Sequence, residues 1–309
     1  MRGTAPRAAR ARREVGRSYF DPLVLAKIAN MSVRARHVVE GLLSGMHKSP
    51  YRGHSVEFAE HREYVPGDEI RRIDWKAYGK FDRYFIKEYE EETNLRAYLL
   101  VDASASMDYA ADESVLRKFD YAATLAASLA YLMLRQGDEV GLVTFNTELQ
   151  RYIPPRSGTR HLRELAGHLE RVQPQGETHL GPALRELAGK IRQRGLVIVI
   201  SDFFDDMESV LRTLRSFRHR RHEVLVFQVL DRNELEFPFQ RLTVFEDIER
   251  ASSRILSEPR SIRAAYLQQL QTFLGDYQRI CRRDAIDYHL FPTTTPLDVA
   301  LTRYLARRQ

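Results

Sequence analysis

The chain has 309 residues, 43% of them hydrophobic, which suffices for one large α/β domain with a smaller companion and excludes a disordered or fibrous chain. Its 48 basic and 42 acidic residues leave a net charge of +6 and a pI near 9.4, but the two signs are interleaved along most of the chain, a weak signal for nucleic acid. A single cysteine, Cys281, excludes an internal disulfide framework and a thiolate-rich metal site, and it fits a reducing, cytoplasmic compartment.

Residues 1–17 set Arg2, Arg7, Arg10, Arg12, Arg13 and Arg17 against Glu14 among Ala and Gly, with almost nothing apolar to bury. This composition predicts a disordered basic arm, either a solvated tail or a contact for an anionic partner or membrane surface. No secretory apolar region follows it, and no stretch approaches the ~20 apolar residues that span a bilayer, so neither anchor nor export signal is expected.

Residues 18–94 read as a small N-terminal domain with helical and β parts. Ser18 caps a short amphipathic stretch from Asp21 to Ala29, and Arg34 to Leu43 offers a second helix stopped by Gly45. From His54 to Tyr64 and from Arg83 to Glu91, aromatic and β-branched residues mix with charges, predicting extended segments around the turn Pro66-Gly67-Asp68 and the only tryptophan, Trp75.

From residue 95 to 309 the character changes. Apolar runs from Ala97 to Val101, Leu196 to Ile200 and Val224 to Leu230 each end at an acid, Asp102, Asp202 after Ser201, and Asp231. Runs without alternation are what a parallel sheet covered on both faces requires. Between them, Phe119, Ala123, Ala126, Ala130 and Met133 share one helical face, followed by Gly137 and a strand from Val140 to Phe145. Helices are predicted over His161 to Leu169, Pro182 to Arg192 and Met207 to Arg218. A long amphipathic one follows, carrying Ile262, Tyr266, Leu270, Phe273, Tyr277 and Ile280, then a strand from Ile286 to Phe291 and a helix from Leu297 to Leu305. Repeated strand–helix units give an α/β fold with a doubly wound, mainly parallel sheet of Rossmann type.

In such sheets ligands bind beyond the carboxyl ends of the strands, where Asp102 and Asp202 fall. Asp102-Ala103-Ser104-Ala105-Ser106 places one carboxylate and two hydroxyls at alternate positions after a strand, able to converge, and Thr178 in a loop before a helix can add a third hydroxyl. These are hard oxygen donors, suited to Mg2+ with several waters retained. Composition alone produces an Asp-x-Ser-x-Ser in a chain of this length about one time in ten, so the weight lies in its placement. The competing reading is that Ser104 and Ser106 cap the following helix and Asp202 caps its own.

In order, Asp102, Ser104, Ser106, Thr178 and Asp202 match the metal-ion-dependent adhesion site of von Willebrand factor A domains. Gly53-His54-Ser55-Val56-Glu57-Phe58, Arg62-Glu63-Tyr64-Val65-Pro66-Gly67-Asp68 and Arg71-Arg72-Ile73-Asp74-Trp75 resemble the signature of a bacterial family called domain of unknown function fifty-eight, in which that segment precedes an A-type domain. The resemblance covers nearly the whole chain after about residue 30. It implies a von Willebrand factor A-like domain, a divalent metal bridged by a partner's Asp or Glu, and work with a MoxR-type AAA ATPase on an unidentified client protein. Lys80 departs from the arginine of the family pattern, and the membrane segments of many relatives are missing.

The reading is therefore a non-enzymatic, magnesium-dependent adaptor. Ser104 and Ser106 have no histidine base placed by sequence, and neither a Gly-x-Ser-x-Gly elbow nor a phosphate-binding Gly-x-x-x-x-Gly-Lys loop is present. A magnesium-dependent phosphohydrolase is the main alternative, although its Asp-x-Asp pattern is broken by Ser104. Nucleic-acid binding is the second alternative, supported by the basic arm and pI but by no reading motif. His47, His54 and His61 follow no zinc-ligand pattern. Asp68, Arg71 and Asp74 are either a binding surface or an ion-pair network.

Overall fold

A computed structural model describes residues 31–46, 61–64, 78, 84–87, 95–111, 116–249 and 254–306. The basic arm, the stretch from Asp21 to Ala29, the Gly53–Phe58 and Arg71–Trp75 motifs, the Pro66 turn and Lys80 lie outside the described residues. The chain divides into two units, one comprising Gly45–Asn94 and the other the remainder.

Within the smaller unit, β1 (His61–Glu63) and β2 (Phe85–Lys87) pair antiparallel, with Arg62 opposite Ile86. Past the end of the pair the Tyr64 amide donates to the Tyr84 carbonyl at 2.8 Å, and the Tyr84 ring stacks on Tyr78 at 4.5 Å.

The larger unit is built on a six-stranded sheet. Its strands are β3 (Arg96–Asp102), β4 (Glu139–Phe145), β5 (Leu149–Arg156), β6 (Leu196–Ser201), β7 (Glu223–Leu230) and β10 (Asp287–Pro292), in spatial order β10-β7-β6-β3-β4-β5. All neighbours run parallel except β4 and β5, which follow one another through a tight connection and pair antiparallel. The apolar runs that predicted buried strands are β3, β6 and β7, whose residues are almost all inaccessible. Edge strand β5 instead alternates and mostly faces solvent, so its sequence carries no run of that kind.

Alternate residues of each strand enter two cores. On one face Tyr98, Leu100, Val197, Val199, Val224 and Val226 meet α4 (Leu180–Lys190), α5 (Met207–His219) and α7 (Pro259–Arg283), with Tyr277 and Cys281 buried against them. On the other face α2 (Lys118–Arg135) packs over β3, β4, β6 and β7, and is buried nearly all round because α3 (Thr159–Leu169), α8 (Leu297–Ala306) and α1 (Met31–Met46) enclose it. Burial of these apolar side chains, at ~2 kcal/mol each, is the main favourable term for this unit.

The position of α1 corrects the expected division of the chain. This helix was expected inside the N-terminal domain, but Met31, Ala35, Val38 and Val39 are buried in the α/β unit, and Arg34 Nη1 donates to Thr124 Oγ1 of α2 at 3.2 Å. Its apolar stripe is short of polar cover, and α2 supplies the nearest complementary face.

Besides β5, a short helix and a hairpin carry no expectation from the sequence. A five-residue helix α6 (Arg232–Glu236) follows β7, and a hairpin of β8 (Thr243–Glu246) and β9 (Arg254–Ser257) precedes α7. Leu242, Val244, Ile255 and Leu256 remain exposed around that hairpin, so no buried run marks it in the sequence.

Candidate functional site

Strand order reverses between β3 and β6: from β3 the chain moves to β4 and β5 on one side, then returns to β6 on the other. This is the switch point where connections diverge and leave a crevice at the strand ends. Asp102 closes β3 and Asp202 directly follows β6, so the two acids lie on adjacent strands at the mouth of that crevice, each fully buried.

Asp102 is held from two directions. Its Oδ1 accepts from the Ser104 amide at 2.9 Å, and its Oδ2 accepts from Ser201 Oγ at 2.6 Å. Ser201 Oγ also accepts from the Phe203 amide at 2.9 Å, tying the chain after β6 to the end of β3. Phe203 has φ +60, a left-handed backbone conformation that costs a residue with a Cβ on the order of 1 kcal/mol and is sustained by its buried ring against Tyr277.

Ser104 and Ser106 come together, their hydroxyl oxygens 3.1 Å apart. Ser104 precedes a single 3-10 turn (Ala105–Asp108) without making a side-chain cap bond, and α5 is capped by Asp206, which accepts from the Ser209 amide at 3.0 Å. The capping alternative is thereby removed for Ser104 and Asp202. It holds instead for Asp231, the acid after β7, which forms a reciprocal capping box with Glu234 on α6.

The loop carrying Thr178 docks on the Ser104 loop: the Ala105 amide donates to Gly176 O at 2.9 Å and the Gln175 amide to Ala103 O at 2.9 Å. Gly176 has φ +80 there, the left-handed region that glycine enters without steric cost, which lets its carbonyl face Ala105. Thr178 is buried beside this junction, but its hydroxyl is turned to Glu249 Oε1 at 2.5 Å. Asp202 Oδ2 accepts from Lys118 Nζ at 2.8 Å, and the same ammonium donates to Glu234 Oε1 at 2.6 Å.

Around the five residues expected from the sequence stand four more, Ser201, Lys118, Glu234 and Glu249. Ser201 sits next to Asp202 in the strand motif, and Lys118 is a charge at the start of a helix whose other positions are largely apolar. Glu249 lies 71 residues from Thr178 and carries no local signal.

The electrostatics are uneven. Burial pushes the Asp102 carboxyl up to about 7 and the charge of Asp202 adds to this, while hydrogen bonds from Ser201 and Ser104 pull the other way. Asp102 forms no ion pair among the described residues, whereas Asp202 has Lys118. Burial disfavours the Lys118 ammonium, but Asp202 and Glu234 together outweigh it and hold the lysine charged. Burial likewise raises Glu234, opposed by Lys118.

A small hard cation fits this donor set. Asp102 is a buried carboxyl without a counter-ion among the described residues, and the paired Ser104 and Ser106 hydroxyls are neutral oxygens beside it. Among the described residues no three His, Cys, Asp or Glu side chains are grouped as metal ligands, so a cation here would depend on hydroxyls and water as much as on acids. Outside these donors, a cavity of about 390 Å³ opens from the strand ends, lined by Ser106, Lys118, Phe204, Glu234, Phe245 and Glu249 among others.

Among solved structures, BatB of Bacteroides thetaiotaomicron is 18% identical, covering 69% of this chain and 98% of that one with a TM-score of 0.46. The SpRpn10 VWA domain is 12% identical, covering 68% and 95% with a TM-score of 0.42. Among curated proteins, Uncharacterized protein Rv1480 of Mycobacterium tuberculosis is 28% identical over 266 residues, 85% of this chain and 82% of that one. Uncharacterized protein YeaD of Bacillus subtilis is 28% identical over 178 residues, covering 57% and 41%. Residues 60–272, running from the small unit through the switch-point site and into α7, match the family model described as Protein of unknown function DUF58, and the chain belongs to that family.

Proposed function

We propose that this protein is a protein-binding adaptor whose recognition site is a divalent cation, best suited by Mg2+, held by Asp102, Ser104, Ser106, Thr178 and Asp202. The observation that carries this reading is Asp102: a fully buried carboxylate at a switch point, without an ion pair among the described residues, beside two converging hydroxyls. Bound there, the cation would supply one exchangeable position for a carboxylate oxygen of a partner. Asp102 and Ser201 set one side of the site through the strand ends, while Ser104, Ser106 in its 3-10 turn and Thr178 supply the hydroxyls from the segments that follow. Lys118 neutralises Asp202 and keeps two neighbouring acids from repelling each other in full.

The non-catalytic reading is supported by the serines: neither hydroxyl is hydrogen-bonded to a histidine among the described residues, so a histidine-activated serine is not set up there. The link to a MoxR-type AAA ATPase and a client protein rests on the family resemblance. No helix of the described residues is long and apolar enough to cross a membrane.

Affinity capture with the purified full chain, in Mg2+ and in EDTA, tests this reading. The expected result is Mg2+-dependent recovery of a MoxR-type ATPase by the wild type and its loss in Asp102→Ala. Recovery indifferent to Mg2+ and to Asp102, or Mg2+-dependent hydrolysis of p-nitrophenyl phosphate abolished by Asp102→Ala, would overturn it, the latter in favour of a phosphohydrolase.

A further inference from the structure

The β8–β9 hairpin delivers an acid to the site just described. Glu249, in the connection after β8, receives the Thr178 hydroxyl on Oε1 at 2.5 Å and the Thr178 amide on Oε2 at 3.2 Å, so both carboxylate oxygens are aimed at one proposed ligand. Its own amide donates to Asp247 Oδ1 at 2.9 Å, a local turn that fixes how the acid leaves the hairpin. Phe245 anchors the same strand against Phe237 and Phe239. Glu249 lines one cavity together with Ser106, the proposed ligand that faces it.

The charges there make this placement informative. Asp102 and Asp202 are already buried at the strand ends, and the one buried ammonium of the site among the described residues is shared between Asp202 and Glu234. Glu249 forms no ion pair among the described residues. Glu249 reaches the site through Thr178, and a cation held by Asp102 and the hydroxyls would offset a carboxylate drawn in beside them. The hairpin's other acids, Glu246 and Asp247, line the same cavity but are exposed, Glu246 pairing with Arg254 at 3.1 Å.

The geometry points to Glu249 as the in-chain acidic ligand of the cation site, occupying the position that a partner's carboxylate takes over. This rests on the cation reading of Asp102 and the hydroxyls, and adds that the chain closes its own site until a partner displaces the hairpin acid. Glu249→Gln removes the charge while keeping an oxygen to accept from Thr178, so it separates ligation from the local hydrogen bond.

The test is Mg2+ titration calorimetry together with amide hydrogen exchange over residues 243–249 and 254–257, on wild type, Glu249→Gln, Glu246→Gln and Asp102→Ala. The expected result is Mg2+ binding by wild type and Glu246→Gln, none by Asp102→Ala, and affinity about tenfold weaker or worse in Glu249→Gln, as loss of one charged oxygen at a metal implies. Mg2+ should slow hairpin exchange in wild type and Glu246→Gln but not in Glu249→Gln. Equal Mg2+ affinity in wild type and Glu249→Gln, with hairpin exchange unmoved by Mg2+, overturns the role of Glu249 and leaves the cation site standing. Absence of Mg2+ binding in the wild type overturns both.

Discussion

Ser201 Oγ donates to Asp102 Oδ2 at 2.6 Å, joining the ends of two adjacent parallel strands through one buried hydrogen bond. The same hydroxyl accepts from the Phe203 amide, so the end of β3, the end of β6 and the left-handed turn at Phe203 are fixed by a single oxygen. Asp102 therefore has its geometry settled before any ligand arrives, and what remains open is its charge.

That charge gives the first prediction. The ordinary carboxyl value is 3.8 and the folded value of Asp102 is raised to about 7, so between those pH values the folded protein keeps a proton that the unfolded chain has lost. In EDTA, stability should fall as pH rises from ~4 to ~7 and level off above, a total on the order of 4 kcal/mol from this group at ~1.4 kcal/mol per unit. Asp102→Asn should flatten this slope and be more stable than wild type at pH 8. Urea denaturation of both proteins across this range checks it, and parallel curves would contradict it.

Cation binding should carry the opposite pH dependence. A ligand carboxylate must lose its proton, so Mg2+ competes with a proton on Asp102 below about 7 and meets an ionised group above it. The rise in Tm produced by 10 mM Mg2+ should then be larger at pH 8 than at pH 6, and absent in Asp102→Ala. Differential scanning calorimetry at the two pH values decides; a shift independent of pH would remove Asp102 from the ligand set.

Lys118 is buried with Asp202 and Glu234, and removing it leaves both acids without their ammonium. Lys118→Met should cost about 3–5 kcal/mol, the usual penalty for breaking a buried ion pair from one side. Glu234→Gln should cost less, because Asp202 keeps its partner. Adding Asp202→Asn to Lys118→Met should recover part of the loss. Chemical denaturation of this cycle measures the coupling, and additive losses would show that the three groups act independently.

Cys281 offers a probe of the core. It is fully buried, and burial, with Asp284 adding to it, pushes its thiol up to about 12. Reaction with a disulfide reagent at pH 8 should be negligible in the native protein and appear in urea in step with loss of far-UV circular dichroism. Rapid labelling without denaturant would mean that α7 detaches from the sheet on its own.

Much of the α/β unit was legible in the sequence because its information is local. Continuous apolar runs such as Leu196 to Ile200 fit a strand covered on both faces, and the acid after each run marks where the strand ends. The order of strands and helices then restricts the sheet to very few topologies, and in these Asp102 and Asp202 fall at neighbouring strand ends. Edge strand β5 and the β8–β9 hairpin were not legible, since each exposes a face to solvent and neither has a run that only burial explains. The partners of the proposed ligands were decided by tertiary structure alone. Nothing in the chain near Asp202 announces Lys118, and nothing near Thr178 announces Glu249, because hydrogen bonds and ion pairs between distant residues depend on which loops the packed sheet brings together. The sequence named acids and hydroxyls, while the fold determined that Asp202 is neutralised, Asp102 is not, and Thr178 already holds a carboxylate of its own chain.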